Sequence, residues 1–166
     1  MNRFVLMVIL VSITSTSWAS DFFAEPSKAC TSLVGVGIYT DGWHPSKAFP
    51  GEWVCLSRLE QFGSPGSNGL KNNIAFYAYG KSKTRANDYR IKINVNNPSQ
   101  KSDAFERLDS AVEHFFKSMS VSIPTGLSNA LRSKKPGVWN TTWGKAELIL
   151  EEGRIESYKV VVTQCH

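Results

Sequence analysis

Between Tyr89 and Val95 the chain alternates without a break. Tyr89, Ile91, Ile93 and Val95 are apolar, while Arg90, Lys92 and Asn94 between them are charged or polar. Successive side chains of a strand point to opposite faces, so period two places the apolar set on one face and the charge on the other. This is the pattern of a half-buried strand in an antiparallel sheet that is covered on one side and solvated on the other.

The cover follows directly in the chain. Phe105, Leu108, Val112, Phe115, Phe116 and Met119 recur at three- and four-residue steps, an apolar stripe about one helix face wide. Ser102 or Asp103 is the expected cap, with Asp103 and Glu106 forming a D-x-x-E box. Pro124 sets the end of this helix near Val121.

Shorter elements fill in the rest. Glu25 to Val34 reads as a helix with Pro26 in its first turn and Ala29, Cys30 and Leu33 on one face. Glu52 to Phe62 reads as one strand, with Val54, Leu56 and Phe62 on one side and Trp53, Cys55 and Leu59 on the other. Asn73 to Gly80 is an aromatic strand between the flexible connection Gly63 to Gly69 and the polar loop Lys81 to Asp88. A short helix is expected at Thr125 to Ser133, and two closing strands at Lys145 to Glu151 and Ile155 to Thr163, turning at Glu152-Gly153. The expected fold class is α+β: a single antiparallel sheet of about five strands in the order α-β-β-β-α-α-β-β, with the long helix on one face. That order is similar to the topology of type III secretion chaperones, which are cytoplasmic and acidic where this chain reads as exported and basic.

The first nineteen residues read as a signal peptide. Arg3 precedes an apolar run from Phe4 to Ile13, and Ser17 and Ala19 fit cleavage after Ala19. The run is shorter than the ~20 residues a spanning helix needs, and no second one follows. Residues 20–166 are therefore expected as one exported globular domain without an integral membrane segment, secreted or periplasmic, with a bacterial envelope favoured. Without Arg3 this part carries 18 basic and 14 acidic residues, a net charge of +4. So mild a surplus favours acidic partners slightly and gives no reason to expect nucleic acid.

Three cysteines fall in that part, Cys30, Cys55 and Cys165, and an oxidising compartment favours a disulfide among them. Cys30 with Cys55 is preferred, because a helix packed beside the first strand would bring them together. Cys55 with Cys165 is the alternative. Cys165 is penultimate, where chains fray, and is expected to remain a thiol.

The motifs that carry chemistry are mostly missing. Gly80-Lys81-Ser82 mimics the end of a phosphate-binding loop, but the glycine needed five positions before Gly80 is Ala75. His44, His114 and His166 form no metal-ligand spacing, and neither metal nor cofactor is expected. There is no nucleophile elbow. Cys55 with His44 would make a thiol–imidazole pair only if Cys55 were unbridged. Glu113, Glu147, Glu151 and Glu152 read as solvated charge. Asn140-Thr141-Thr142 is a glycosylation sequon that matters only in a host that uses it.

Binding residues are easier to nominate. Lys81, Lys83, Arg85, Arg90 and Lys92 gather on the second hairpin, and Arg132, Lys134 and Lys135 follow the short helix. Arg90 and Lys92 point the same way, which suits a solvated face or a patch for an acidic protein or an anionic envelope polymer. Trp43, Trp139 and Trp143 lie in or beside loops, whereas Trp53 is expected in the core. The nominated partner-binding residues are Trp43, His44, Trp139, Arg90 and Lys92.

The cysteine helix, Thr40-Asp41-Gly42-Trp43, Trp53-Val54-Cys55 and the run Arg90 to Asn96 together resemble a family of small secreted bacterial proteins of unknown function. The resemblance covers about two thirds of the exported part. It implies pairing of Cys30 with Cys55 and brings no activity with it.

The function expected is that of a non-enzymatic protein-binding module in the cell envelope, of the inhibitor or toxin-immunity type. One alternative is an envelope enzyme with a site assembled from distant segments, for which His44, Cys55 and Glu52 are the first candidates. The other is a structural accessory of an envelope machine.

Overall fold

The computed structural model describes residues 21–164. The expected signal segment, Cys165 and His166 lie outside them. The sheet is wholly antiparallel and has eight strands: β1 His44–Pro45, β2 Trp53–Leu56, β3 Glu60–Phe62, β4 Asn72–Gly80, β5 Asp88–Val95, β6 Gly137–Asn140, β7 Gly144–Glu151 and β8 Glu156–Gln164. Its order is β1-β2-β4-β5-β8-β7-β6, with β3 also pairing β4. Three helices accompany it: α1 Pro26–Thr31, α2 Lys101–Ser118 and α3 Leu127–Ser133. The class is α+β, as the alternation of β5 and the stripe of α2 require.

Register assigns the two faces. Ala78, Tyr89, Val162 and Ala146 form one cross-strand row, and Phe76, Ile91, Val160 and Leu148 form the next. All eight are buried. The α2 residues Phe105, Leu108, Val112, Phe115 and Phe116, with Met119 just past the end of the helix, are buried with them in one core cluster. Each such side chain contributes about 1.5–3 kcal/mol by leaving water. Phe22 and Phe23, at the start of the described chain, complete the core: Phe22 packs against Tyr89, Phe115, Phe116 and Trp143, and Phe23 stacks on Tyr89. Among the described residues all three helices lie on this face, and none covers the other.

Several boundaries differ from the sequence reading, each for a physical reason. The strand expected at Glu52 to Phe62 is two strands. Leu56 pairs Tyr77 and Glu60 pairs Ile74, so four steps on one side match three on the other. The extra residue is a β-bulge, and it moves Phe62 to the helix face beside Cys55. Ser57 holds the break, its hydroxyl accepting the Phe76 N–H at 2.8 Å. The two-residue β1 and the four-residue β6 were not foreseen, because pieces so short and rich in Gly and Pro show no periodicity. The N-cap position of α2 is Gln100 rather than Ser102 or Asp103, and the side-chain cap sits one turn earlier, on Asn97. Its side chain accepts from Ser99 N, and a 3-10 turn over Pro98–Gln100 leads into the helix. The helix ends at Ser118, just before Ser120 turns left-handed. At the front, α1 stops at Thr31, and a 3-10 turn over Val34–Val36 follows.

The connection from Gly63 to Gly69 is hydrogen-bonded to the segment before α2. Asn97 Nδ2 reaches Ser64 O at 3.2 Å, the Ser64 N–H donates to Gln100 Oε1 at 2.8 Å, and Asn96 Nδ2 donates to Lys71 O at 2.7 Å. The buried Asn72 joins this network by accepting the Asn97 N–H at 2.8 Å. Gly66 lies so close that a Cβ there would sit 2.3 Å from Asn96 O.

Candidate functional site

The segment from Thr40 to His44 is a clamp. Thr40 Oγ1 donates to the Cys30 carbonyl at 2.8 Å, which ties the loop to the end of α1. Asp41 holds β2 twice: its N–H donates to Leu56 O at 3.1 Å, and its carboxylate accepts the Leu56 N–H at 2.8 Å. The other carboxylate oxygen takes His44 Nε2 at 2.9 Å. Trp43 stacks on Trp53 with ring centroids 6.2 Å apart, and its indole N–H donates to Lys83 O at 2.9 Å. Beneath the clamp a disulfide joins Cys30 to Cys55, with Cα atoms 6.1 Å apart. Helix α1, the loop and β2 are thus tied together covalently and by hydrogen bonds.

This geometry bears on catalysis. His44 presents Nδ1 to the Pro45 carbonyl at 2.8 Å and Nε2 to Asp41. Both partners are acceptors, so the doubly protonated ring is favoured and the pKa of His44 is raised, chiefly by the Asp41 hydrogen bond. Burial pushes Asp41 upward, but the Leu56 N–H and His44 outweigh it and hold the carboxyl below its usual range. Both ring nitrogens of His44 are thus engaged by acceptors within the clamp. Cys55 is bridged to Cys30, and Glu52 accepts the Tyr79 hydroxyl at 2.8 Å. The three candidates for an assembled enzyme site are therefore each held in separate structural contacts. Among the described residues no group of three or more His, Cys, Asp or Glu side chains is placed to hold a metal ion.

The nominated binding residues divide between two faces and two edges. Trp43 and His44 belong to the β1–β2 edge. Trp139 lies on β6 at the opposite edge, with its ring against Gly126 and Gly137 on the helix side. Arg90 and Lys92 lie on the open face. Arg90 is paired with Asp88 at 2.8 Å, and Lys92 with Glu151 at 2.7 Å.

The open face and the β1–β2 edge form one continuous surface. Leu56, Tyr77, Arg90 and Val161 make a single cross-strand row leading from the edge to the centre. At the edge, a groove of about 530 Å³ is lined by Tyr39, Thr40, Asp41, Leu56, Ser57, Arg58 and Glu60. Tyr39 is 60% exposed and Leu56 44%, and Leu59, in the bulge beside them, is 55% exposed. Lys47 in the β1–β2 turn, Arg58 in the bulge, and Lys81 and Lys83 in the β4–β5 loop are exposed and take part in no ion pair among the described residues. At the centre, a concavity of about 290 Å³ is lined by Tyr77, Arg90, Lys92, Glu151 and Lys159. The Lys159 and Lys92 ammonium groups beside Glu151 hold its carboxyl down to about 2.

Sequence reasoning found Arg90 and Lys92 from strand alternation but missed Tyr39, Leu56, Leu59 and Lys159. The first three flank a bulge that breaks periodicity. Lys159 meets Lys92 only through a pairing 67 residues apart in the chain.

The chain belongs to a family of unknown function, DUF6030, whose model matches residues 13–164. The cysteine helix, the Thr40–Trp43 loop and the Trp53–Cys55 strand all fall within the match. No curated protein and no solved structure matches the chain.

Proposed function

We propose that the protein is an exported, non-enzymatic binding module of the bacterial cell envelope, and that it docks an acidic protein partner on the β1–β2 edge. The carrying observation is the groove at that edge. Tyr39, Leu56 and Leu59 expose apolar surface there, and Arg58, a cation in no ion pair among the described residues, lines it. Exposed aromatic and aliphatic anchors supply affinity at a protein interface, and cations around them, here Arg58 in a lining it shares with Asp41 and Glu60, steer encounter. The clamp and the disulfide favour the same reading, because a preformed edge loses little entropy on binding.

Export is supported by the charged start, apolar run and small residues of the first nineteen positions, and by the disulfide, which suits an oxidising compartment. An inhibitor or toxin-immunity role fits a small rigid module of this kind. The test is affinity capture from envelope extract at low salt, followed by titration of the purified captured protein against the wild type and Tyr39→Ala, Leu56→Asp and Arg58→Glu variants. The reading requires an acidic partner whose binding is lost in the edge variants. Undiminished binding to all three folded variants would overturn it.

A further inference from the structure

Lys92 on β5 and Lys159 on β8 are direct cross-strand partners on the open face. Like charges placed opposite one another destabilise a sheet. One carboxylate offsets them: Glu151 Oε2 takes Lys92 and Oε1 takes Lys159. Each ammonium has three N–H donors and spends one on Glu151, so two remain on each. Next to them, Arg90 spends Nε and Nη2 on Asp88, leaving Nη1. Tyr77 stands directly opposite Arg90, and its hydroxyl has no hydrogen-bond partner among the described residues. The side chains lining the concavity are thus three cations and a phenol against one carboxylate already in use.

We propose that this concavity binds a phosphate group, held by Lys92, Lys159, Arg90 and Tyr77. A site rich in donors and poor in acceptors selects an oxyanion. A carboxylate offers two oxygens and one charge. A phosphate dianion offers at least three oxygens, matching the spread of donors, and the three cations outnumber the two carboxylates that pair them, Glu151 and Asp88, by one. The lysine side chains are partly buried, with exposures of 29% for Lys92 and 22% for Lys159, so their attraction is less screened than that of fully exposed surface lysines. Four strands carry the lining groups, which fixes their spacing without any ligand. The same group could arrive on a free phosphate monoester or on a lipid headgroup.

The site stands independently of the protein partner proposed for the edge, and Tyr39→Ala separates the two by removing an edge anchor while leaving the concavity intact. The experiment is calorimetric titration of the purified protein with inorganic phosphate at low ionic strength, alongside sedimentation with vesicles of neutral lipid with and without phosphatidic acid. One saturable phosphate site is expected. Lys159→Gln weakens it by about tenfold or more, the loss of a charge-assisted hydrogen bond, and Tyr77→Phe weakens it by a smaller factor while sparing the fold. Lys145→Gln, on the same face but outside the concavity, and Tyr39→Ala leave it unchanged. Phosphate binding accompanied by capture on phosphatidic acid vesicles assigns the lipid headgroup, and phosphate binding without capture assigns a free monoester. No saturable phosphate binding, vesicle capture alone, or phosphate binding that persists in a folded Lys92→Gln/Lys159→Gln variant overturns the proposal.

Discussion

Lys92 and Lys159 face each other directly across β5 and β8, and Glu151 is the carboxylate that both reach. The arrangement makes Glu151 structurally decisive. Glu151→Gln leaves two opposed ammonium groups with no offsetting charge, and a loss of about 1 kcal/mol is expected from cross-strand repulsion. Urea unfolding at low salt measures it, and added salt restores part of the loss. Glu151 also predicts an acid limb. Its pKa is depressed in the folded state, so its contribution is complete above the ordinary value of 4.5 and is lost as pH falls towards about 2. A stability–pH curve of Glu151→Gln is therefore flatter than wild type over that interval.

Asp41 and His44 predict a second pH window. The raised pKa of His44 means that its contribution is complete below the ordinary value of 6.5 and is lost as pH rises through the folded value. The lowered pKa of Asp41 means that its contribution is present above the ordinary 3.8 and is lost as pH falls through the folded value. The pair thus supports the edge best in mildly acidic solution. His44→Ala removes the loss on the alkaline side, seen as a flatter stability curve as pH rises from 6.5. Asp41→Ala costs about 0.5–1.5 kcal/mol, because it also removes the exposed hydrogen bond to the Leu56 N–H.

The disulfide predicts a larger effect. Cys30 and Cys55 are 25 residues apart, and opening a loop of that length costs about 3 kcal/mol in the chain-entropy model. A Cys30→Ala/Cys55→Ala double variant is expected to lose that amount in urea unfolding. Alkylation and peptide mapping of the native protein provide the direct check: Cys30 and Cys55 stay unmodified until the bridge is reduced.

Gly66 predicts a steric effect within the asparagine network. An alanine Cβ would meet the Asn96 carbonyl oxygen at 2.3 Å and the Asn97 Cα at 3.1 Å, both of them backbone. Backbone cannot swing aside as a side chain can, so Gly66→Ala costs about 1–3 kcal/mol. Gly69→Ala, in the same connection, meets no atom within 4 Å but adopts φ +75, so its smaller cost is one of backbone strain. Thermal unfolding of the two variants separates clash from strain.

The parts of the fold legible in the sequence are those written in local periodicity. The two-residue alternation of β5, the stripe of α2 and the closing hairpin of β7 and β8 repeat over seven or more residues, long enough to reveal a face. Phe62 shows the limit. One bulge residue after Leu56 reverses the alternation, and nothing local marks where it falls. Asn72, Asn96 and Asn97 show another: their polar side chains read as loop, and only partners far along the chain turn them into a buried scaffold. Trp43 and His44 were legible as an unusual pair, yet their places in the clamp depend on Trp53, Lys83 and Asp41. Lys92 was visible as half of the open-face site, and Lys159 became its partner only through strand pairing.

The central claim is that the edge carrying Tyr39, Leu56 and Leu59 docks an acidic protein. Titration of the captured and purified partner against wild type and Leu56→Asp at two ionic strengths tests it most directly. The expected result is stoichiometric binding by the wild type that weakens as salt rises, and loss of that binding in a Leu56→Asp variant that unfolds like wild type. Equal binding by the two proteins, or no stoichiometric partner recovered from any growth condition, would contradict it.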